Sequence, residues 1–136
     1  MKKIAVIEDN PDNRLLLRAI LEERYEITDY ESGFEALAVL PAQRPELVLL
    51  DISLPKMDGT EVLKKIRAEP ALSKLPVIAL TAHAMSGDRE KYLALGFDNY
   101  VAKPIVDETI LIDAIERALN KPRDAIRSAA FPDEAG

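Results

Sequence analysis

Three short apolar runs, IAVI at 4–7, LVLL at 47–50 and VIAL at 77–80, constrain this chain more than any other feature. Each is unbroken by a polar side chain and each is bounded by charged or turn-forming residues. A run this short and this continuous fits a strand covered on both faces, the condition of a strand inside a parallel sheet. Two further segments, YEITDY at 25–30 and NYVA at 99–102, mix polar and apolar residues and read as edge strands with one wetter face.

Helical signals fill the gaps between these strands. Asn10 can cap a helix with Pro11 at its first position, where the missing N–H costs nothing, and Leu16, Leu17, Ile20 and Leu21 form its apolar face. Ser32 with Glu35 makes a capping box for a second helix, expected to stop before Pro41. Asp58-Gly59-Thr60-Glu61 opens a third, with Val62, Leu63 and Ile66 facing inward and Pro70 as its stop signal. Ser86 to Leu95 reads as a fourth, closed by Gly96. In the fifth, Leu111, Ala114, Ile115, Ala118 and Leu119 fall on one narrow stripe at 3.6 residues per turn.

The order is therefore five repeats of strand then helix, which calls for an α/β fold with a parallel sheet between two helical layers. Right-handed crossovers, with the second and fifth strands at the edges, give the flavodoxin-like (βα)5 sandwich of strand order 2-1-3-4-5. Residues 1–120 make one domain. Residues 121–136 carry two prolines and little apolar surface, and read as a mobile C-terminal tail.

Composition removes several functions. With 24 acidic against 18 basic residues the net charge is -6, which disfavours direct DNA binding and an anionic membrane surface. No apolar run approaches the roughly 20 residues needed to span a bilayer, so membrane insertion is not expected and a cytoplasmic location is. The chain has no cysteine and one histidine, His83, which leaves neither a thiolate site nor an easily assembled histidine-metal site.

The residues just past each buried run carry the chemistry. Strand one ends in Glu8-Asp9, strand three in Asp51, strand four in Thr81 and strand five in Lys103-Pro104. Singly, each is an ordinary helix cap or strand-end residue. In a doubly wound sheet, however, they converge on the crevice at the carboxyl ends of the strands. Carboxylates ~5 Å apart repel by roughly 3 kcal/mol per pair at an effective dielectric of 20. Either one stays protonated or a divalent cation sits among them, and an all-oxygen donor set suits Mg²⁺, with Mn²⁺ as a substitute. Lys103 adds a fixed positive charge, and a carboxylate can act as nucleophile by forming an acyl phosphate.

These residues resemble the receiver domain of response regulators. The likeness runs from Lys2 to about Asn120 and rests on VIEDN at 6–10, LVLLDISLPKMDG at 47–59, ALTAHA at 79–84 and YVAKP at 100–104. The chain is most similar to stand-alone receivers of the DivK type, used in cell-cycle control and phosphorelays. Its segment from Thr81 to Ile105 also resembles receivers attached to hybrid histidine kinases. The resemblance implies a signalling phosphoacceptor of a two-component system, catalysing only its own phosphoryl transfer and autodephosphorylation. Asp51 would accept the phosphoryl group from a histidine kinase or histidine phosphotransferase. Glu8, Asp9, Asp51 and the backbone carbonyl of Ser53 would hold the metal. Lys103 and Thr81 would grip the phosphoryl oxygens, with Ala82 leaving room for them. Tyr100 would move as the switch aromatic while Tyr92 stays half-exposed edge packing, and the Lys103–Pro104 bond would be cis. Ser53 and His83 would tune the phosphate lifetime. A protein effector would bind the surface of helix four, strand five and helix five.

Three alternatives compete with this reading. A haloacid-dehalogenase-type phosphatase would need a second acid two residues past the nucleophile, where Ser53 stands. A flavin-carrying electron carrier would need a phosphate-binding loop of N–H donors where EDNPDN stands. A receiver-like interaction module without phosphorylation would not need the complete set of polar strand-end residues.

Overall fold

The computed structural model describes residues 1–82 and 88–120. The fourth helix's expected start at Ser86, His83 and the whole 121–136 segment lie outside them. Ten elements alternate along the chain: β1 (Lys3–Ile7), α1 (Pro11–Leu21), β2 (Glu26–Tyr30), α2 (Gly33–Gln43), β3 (Leu47–Asp51), α3 (Gly59–Ala68), β4 (Val77–Thr81), α4 (Asp88–Leu95), β5 (Asn99–Ala102) and α5 (Glu108–Asn120). All strand pairs are parallel, in the order β2-β1-β3-β4-β5.

Strand alternation divides the core in two. Ala5, Ile7, Val48, Leu50, Val77 and Ala79 face α2, α3 and α4, where Leu40, Val62, Ile66 and Tyr92 meet them. Ile4, Val6, Leu47, Leu49, Ile78 and Leu80 face α1 and α5, against Leu17, Leu21, Leu111 and Ile115. Successive residues of β1, β3 and β4 thus serve opposite layers, which is why these strands contain no polar interruption. β2 and β5 have partly exposed positions, as their mixed sequences imply.

The predicted caps form. Asn10 accepts from the N–H groups of Asp12 and Asn13, Ser32 from Glu35, and Asp58 from Glu61. Two local expectations fail. α2 runs through Pro41 to Gln43. Proline there removes one bond of the last turn, to the Leu37 carbonyl, while the Arg44 N–H returns to the Leu40 carbonyl at 2.9 Å and closes the end. Leu16, assigned to the apolar face of α1, is 43% exposed; Leu17 and Leu21 carry that face, one turn apart, with Ile20 beside them.

Gly59 fixes how α3 meets the sheet. A Cβ there would lie 2.5 Å from the Asp51 carbonyl oxygen and 2.8 Å from Ile52 Cα. Its N–H donates to the Ile52 carbonyl at 2.9 Å. The start of α3 is therefore pressed against the backbone that carries Asp51.

Candidate functional site

The carboxyl ends of β1, β3, β4 and β5 open on one crevice. Glu8 directly follows β1 and is fully buried; Asp51 closes β3 at 2% exposure and Thr81 closes β4 at 1%. Carboxylate oxygens of Glu8, Asp9 and Asp51 lie within 4.8 Å of one another. The Lys103 ammonium reaches over them, 3.1 Å from Glu8 Oε1 and 3.2 Å from Asp51 Oδ1. Three acids from two strand ends thus share one space, and Lys103, from a third, contacts two of them. Thr81 stands at the rim of the adjacent strand, and its carbonyl accepts the Lys103 N–H at 2.7 Å, so the ends of β4 and β5 are tied together.

Local structure fixes each acid. The Asn10 N–H donates to Glu8 Oε2 at 3.1 Å and the Asn13 amide to Glu8 Oε1 at 3.3 Å. The Arg14 guanidinium binds the Glu8 and Asp9 carbonyls at 2.8 and 3.1 Å, holding the turn between β1 and α1. Asp51 Oδ1 accepts the Ser53 N–H at 3.0 Å. Glu8 has its pKa raised by burial and then by the Asp51 carboxyl group beside it. For Lys103, burial opposes the ammonium, but the Asp51 and Glu8 carboxylates outweigh it and raise its pKa. The site holds three carboxyl groups against one ammonium.

Such a group of hard oxygen donors around an uncompensated negative charge fits a divalent cation such as Mg²⁺. Glu8, Asp9 and Asp51 are the residues that could hold it. The Lys103–Pro104 peptide bond is cis. Tyr100 is half-buried against the α2/α3/α4 layer. Ala82 is exposed beside Thr81.

Sequence reasoning missed three participants. Asn13 and Arg14 brace the acidic turn, and their positions in the first turn of α1 are the signal that was available. Tyr92, expected as half-exposed packing, is 3% exposed, and its hydroxyl donates to Thr81 Oγ1 at 3.0 Å. No spacing rule reveals that contact, because it depends on how α4 docks on the sheet.

The comparisons with known proteins agree on one family. The response regulator receiver domain matches residues 4–116. The polar-differentiation response regulator DivK of Brucella anthropi is 41% identical over 105 residues, covering 76% of this chain and 85% of that protein. Among solved structures, the receiver domain of sensor histidine kinase PA1611 from Pseudomonas aeruginosa, with a magnesium ion in its active-site cleft, superposes with a TM-score of 0.79 at 35% identity. It covers 88% of this chain and 98% of that one. The chemotaxis protein CheY4 of Vibrio cholerae gives a TM-score of 0.80 at 25% identity, over 88% of this chain and 99% of that one.

Proposed function

Because this chain belongs to the response regulator receiver domain family, we propose that Asp51 accepts a phosphoryl group from a protein phosphohistidine and that the modified crevice switches a partner-binding surface. One observation carries the reading: Glu8, Asp9 and Asp51 share a space under 5 Å across, with Lys103 bonded to two of them. Donor candidates are a histidine kinase or a histidine phosphotransferase. Residues 1–120 would be the receiver domain, acting in the cytoplasm. No helix among the described residues is long and apolar enough to cross a membrane.

In this reading an Asp51 carboxylate oxygen forms a bond to phosphorus as the phosphorus–nitrogen bond of the phosphohistidine breaks, and the imidazole leaves with its electron pair. Glu8, Asp9, Asp51 and the Ser53 carbonyl would hold Mg²⁺, or Mn²⁺ in its place. When bound, the metal supplies positive charge against the phosphoryl oxygens. Lys103 supplies the second positive charge, already placed 3.2 Å from Asp51. Thr81 then turns its hydroxyl to the phosphoryl group, with Ala82 leaving room. The same residues govern the return: water attacks the acyl phosphate, and Ser53 and His83 set how readily it does so. Turnover of an outside substrate is not part of this role.

A phosphoryl group adds charge and three acceptor oxygens to a crevice that already contains buried acid. Thr81 and Lys103 answer that charge; Thr81 closes β4, which leads into α4, and Lys103 follows β5, which leads into α5. The surface of α4, β5 and α5, with Tyr100 moving as Thr81 moves, is accordingly the proposed output face toward a protein effector. The test is incubation with acetyl phosphate and Mg²⁺ followed by intact mass measurement. One phosphoryl group per chain is expected on the wild type and none on Asp51→Asn, which retains the same circular dichroism. Label persisting on Asp51→Asn would overturn the assignment.

A further inference from the structure

Tyr92 is the sole buried residue of α4 among those described. Its ring is clamped edge-on by Phe97, with centroids 5.9 Å apart and planes at 88°, and lies 5.7 Å from the Tyr100 ring at 42°. The Lys91 ammonium lies 5.5 Å from the Tyr92 ring centroid. A ring so fixed holds its hydroxyl at one point, and at that point stands Thr81 Oγ1, 3.0 Å away, in a bond that is itself buried. α4 is thereby fastened to the side chain that the proposed switch must move.

The sheet register says which way that movement goes. Asp51 pairs with Leu80 across β3 and β4. Leu80 belongs to the α1/α5 layer and Ala79 to the opposite layer, so Thr81, two residues after Ala79, projects on the α4 side, where Tyr92 waits. The Asp51 carboxylate meets Lys103 and Glu8 in the crevice. A Thr81 hydroxyl that turns to a phosphoryl oxygen on Asp51 turns away from the Tyr92 side, where Phe97 packs edge-on against the ring.

We infer that Tyr92 is a positioning residue that acts through Thr81: its hydroxyl holds Thr81 in the resting position, and engagement of the phosphoryl group breaks this bond and so unfastens α4. This rests on the phosphoacceptor role of Asp51 and adds to it a second tyrosine, from α4 rather than β5, that opposes the switch. Resting protein is thereby biased toward the unengaged state, because a buried hydroxyl pair has to be given up on activation.

The test measures the affinity of the full chain for beryllofluoride, a phosphoryl mimic, by titration calorimetry with Mg²⁺ in excess. Tyr92→Phe keeps the ring and both aromatic contacts and removes only the hydroxyl. If the bond is lost on engagement, the variant binds about three- to tenfold tighter than wild type, the worth of one net hydrogen bond. In a Thr81→Ala background, where no hydroxyl remains to be held, the same substitution leaves affinity unchanged. Equal or weaker binding by Tyr92→Phe overturns the inference, since a relay that persists in the engaged state would lose by the change. So does an equal gain in the Thr81→Ala background, which would mean that the ring's packing is responsible. Failure of the wild type to bind beryllofluoride at all would instead sink the phosphoacceptor reading, and this inference with it.

Discussion

Lys103→Met should destabilise the Mg²⁺-free protein and tighten its hold on Mg²⁺ at the same time. The Lys103 side chain is 18% exposed, and its ammonium contacts two buried carboxylates at 3.1 and 3.2 Å. At an effective dielectric of about 20, each contact is an attraction of roughly 5 kcal/mol. Methionine matches the stem in length and is spared the cost of burying a charge, which offsets much of that loss. Removing one partner of a buried pair generally costs about 3–5 kcal/mol, because the other is left uncompensated. Here Glu8, whose pKa burial and Asp51 already raise, can take up a proton and lower the penalty. A net loss of about 2–3 kcal/mol remains, or roughly 10 °C in Tm for a domain of this size. Mg²⁺ reverses the sign. Without the ammonium the cation enters a more negative site and no longer meets a like charge, so it should bind about tenfold tighter or more. The melting gap between variant and wild type therefore narrows as Mg²⁺ is added. Thermal melts across a Mg²⁺ series, with calorimetric titration of both proteins, supply the check. A variant as stable as wild type without Mg²⁺, or one that binds Mg²⁺ more weakly, would refute the view that Lys103 neutralises this crevice in place of the metal.

Two further substitutions probe how the scaffold holds the site. Gly59→Ala places a Cβ against the Asp51 carbonyl and Ile52 Cα, backbone atoms that cannot rotate away, and should cost about 2–3 kcal/mol in urea denaturation. The same shift disturbs Asp51, so phosphorylation by acetyl phosphate should slow as well; a variant unchanged in both would show that α3 can back away from β3. Asp58 has its pKa lowered by the Thr60 hydroxyl and then by the Glu61 N–H, which donate to it at 2.6 and 3.1 Å. A depressed carboxylate pKa contributes stability that is present above the ordinary aspartate value and lost as pH falls through the folded one. Asp58→Ala should therefore cost about 1 kcal/mol at neutral pH, and its gap to wild type should close below about pH 4 in paired denaturation curves.

The sequence disclosed most where burial alone decides. β1, β3 and β4 could be drawn from their apolar runs because both faces of each are covered, and a strand covered twice takes a polar residue only at its ends. The acidic cluster was legible for a related reason: polar residues directly after such runs have nowhere to go but the rim of the sheet. Pro41 misled because a proline forfeits only the bond of its own missing N–H, here to the Leu37 carbonyl, and α2 continues just two residues further before the Arg44 N–H closes it on the Leu40 carbonyl. Leu16 misled because two leucines in succession cannot both lie on the narrow contact stripe of α1, and the helix's rotation about its axis selects Leu17. Tyr92 was illegible for a deeper reason. α4 is eight residues long with one buried side chain, so no periodicity marks its inner face. Its partner Thr81 lies eleven residues away across a change of element, and the contact exists only once β4, α4 and β5 are packed.

Thr81 is where those three elements meet, and this decides which part of the domain can answer a change in the crevice. Its carbonyl binds the backbone N–H of Lys103, its hydroxyl receives Tyr92, and its strand pairs with β5 through Thr81 and Ala102. A displacement there is passed directly to α4 and β5, whereas β1 and β3 lie in the middle of the sheet with both faces filled. β5 is the outermost strand on that side, and Val101 is its single buried position. Segments with little buried apolar surface open and shift at the lowest free-energy cost. Rigidity under the acids thus comes from the apolar residues of the inner strands, while both edges, β2 and β5, have one buried position each. In the proposed reading it is the bonds of Thr81 to Tyr92 and to the Lys103 N–H that would direct a signal toward α4 and β5 rather than toward α1 and α2.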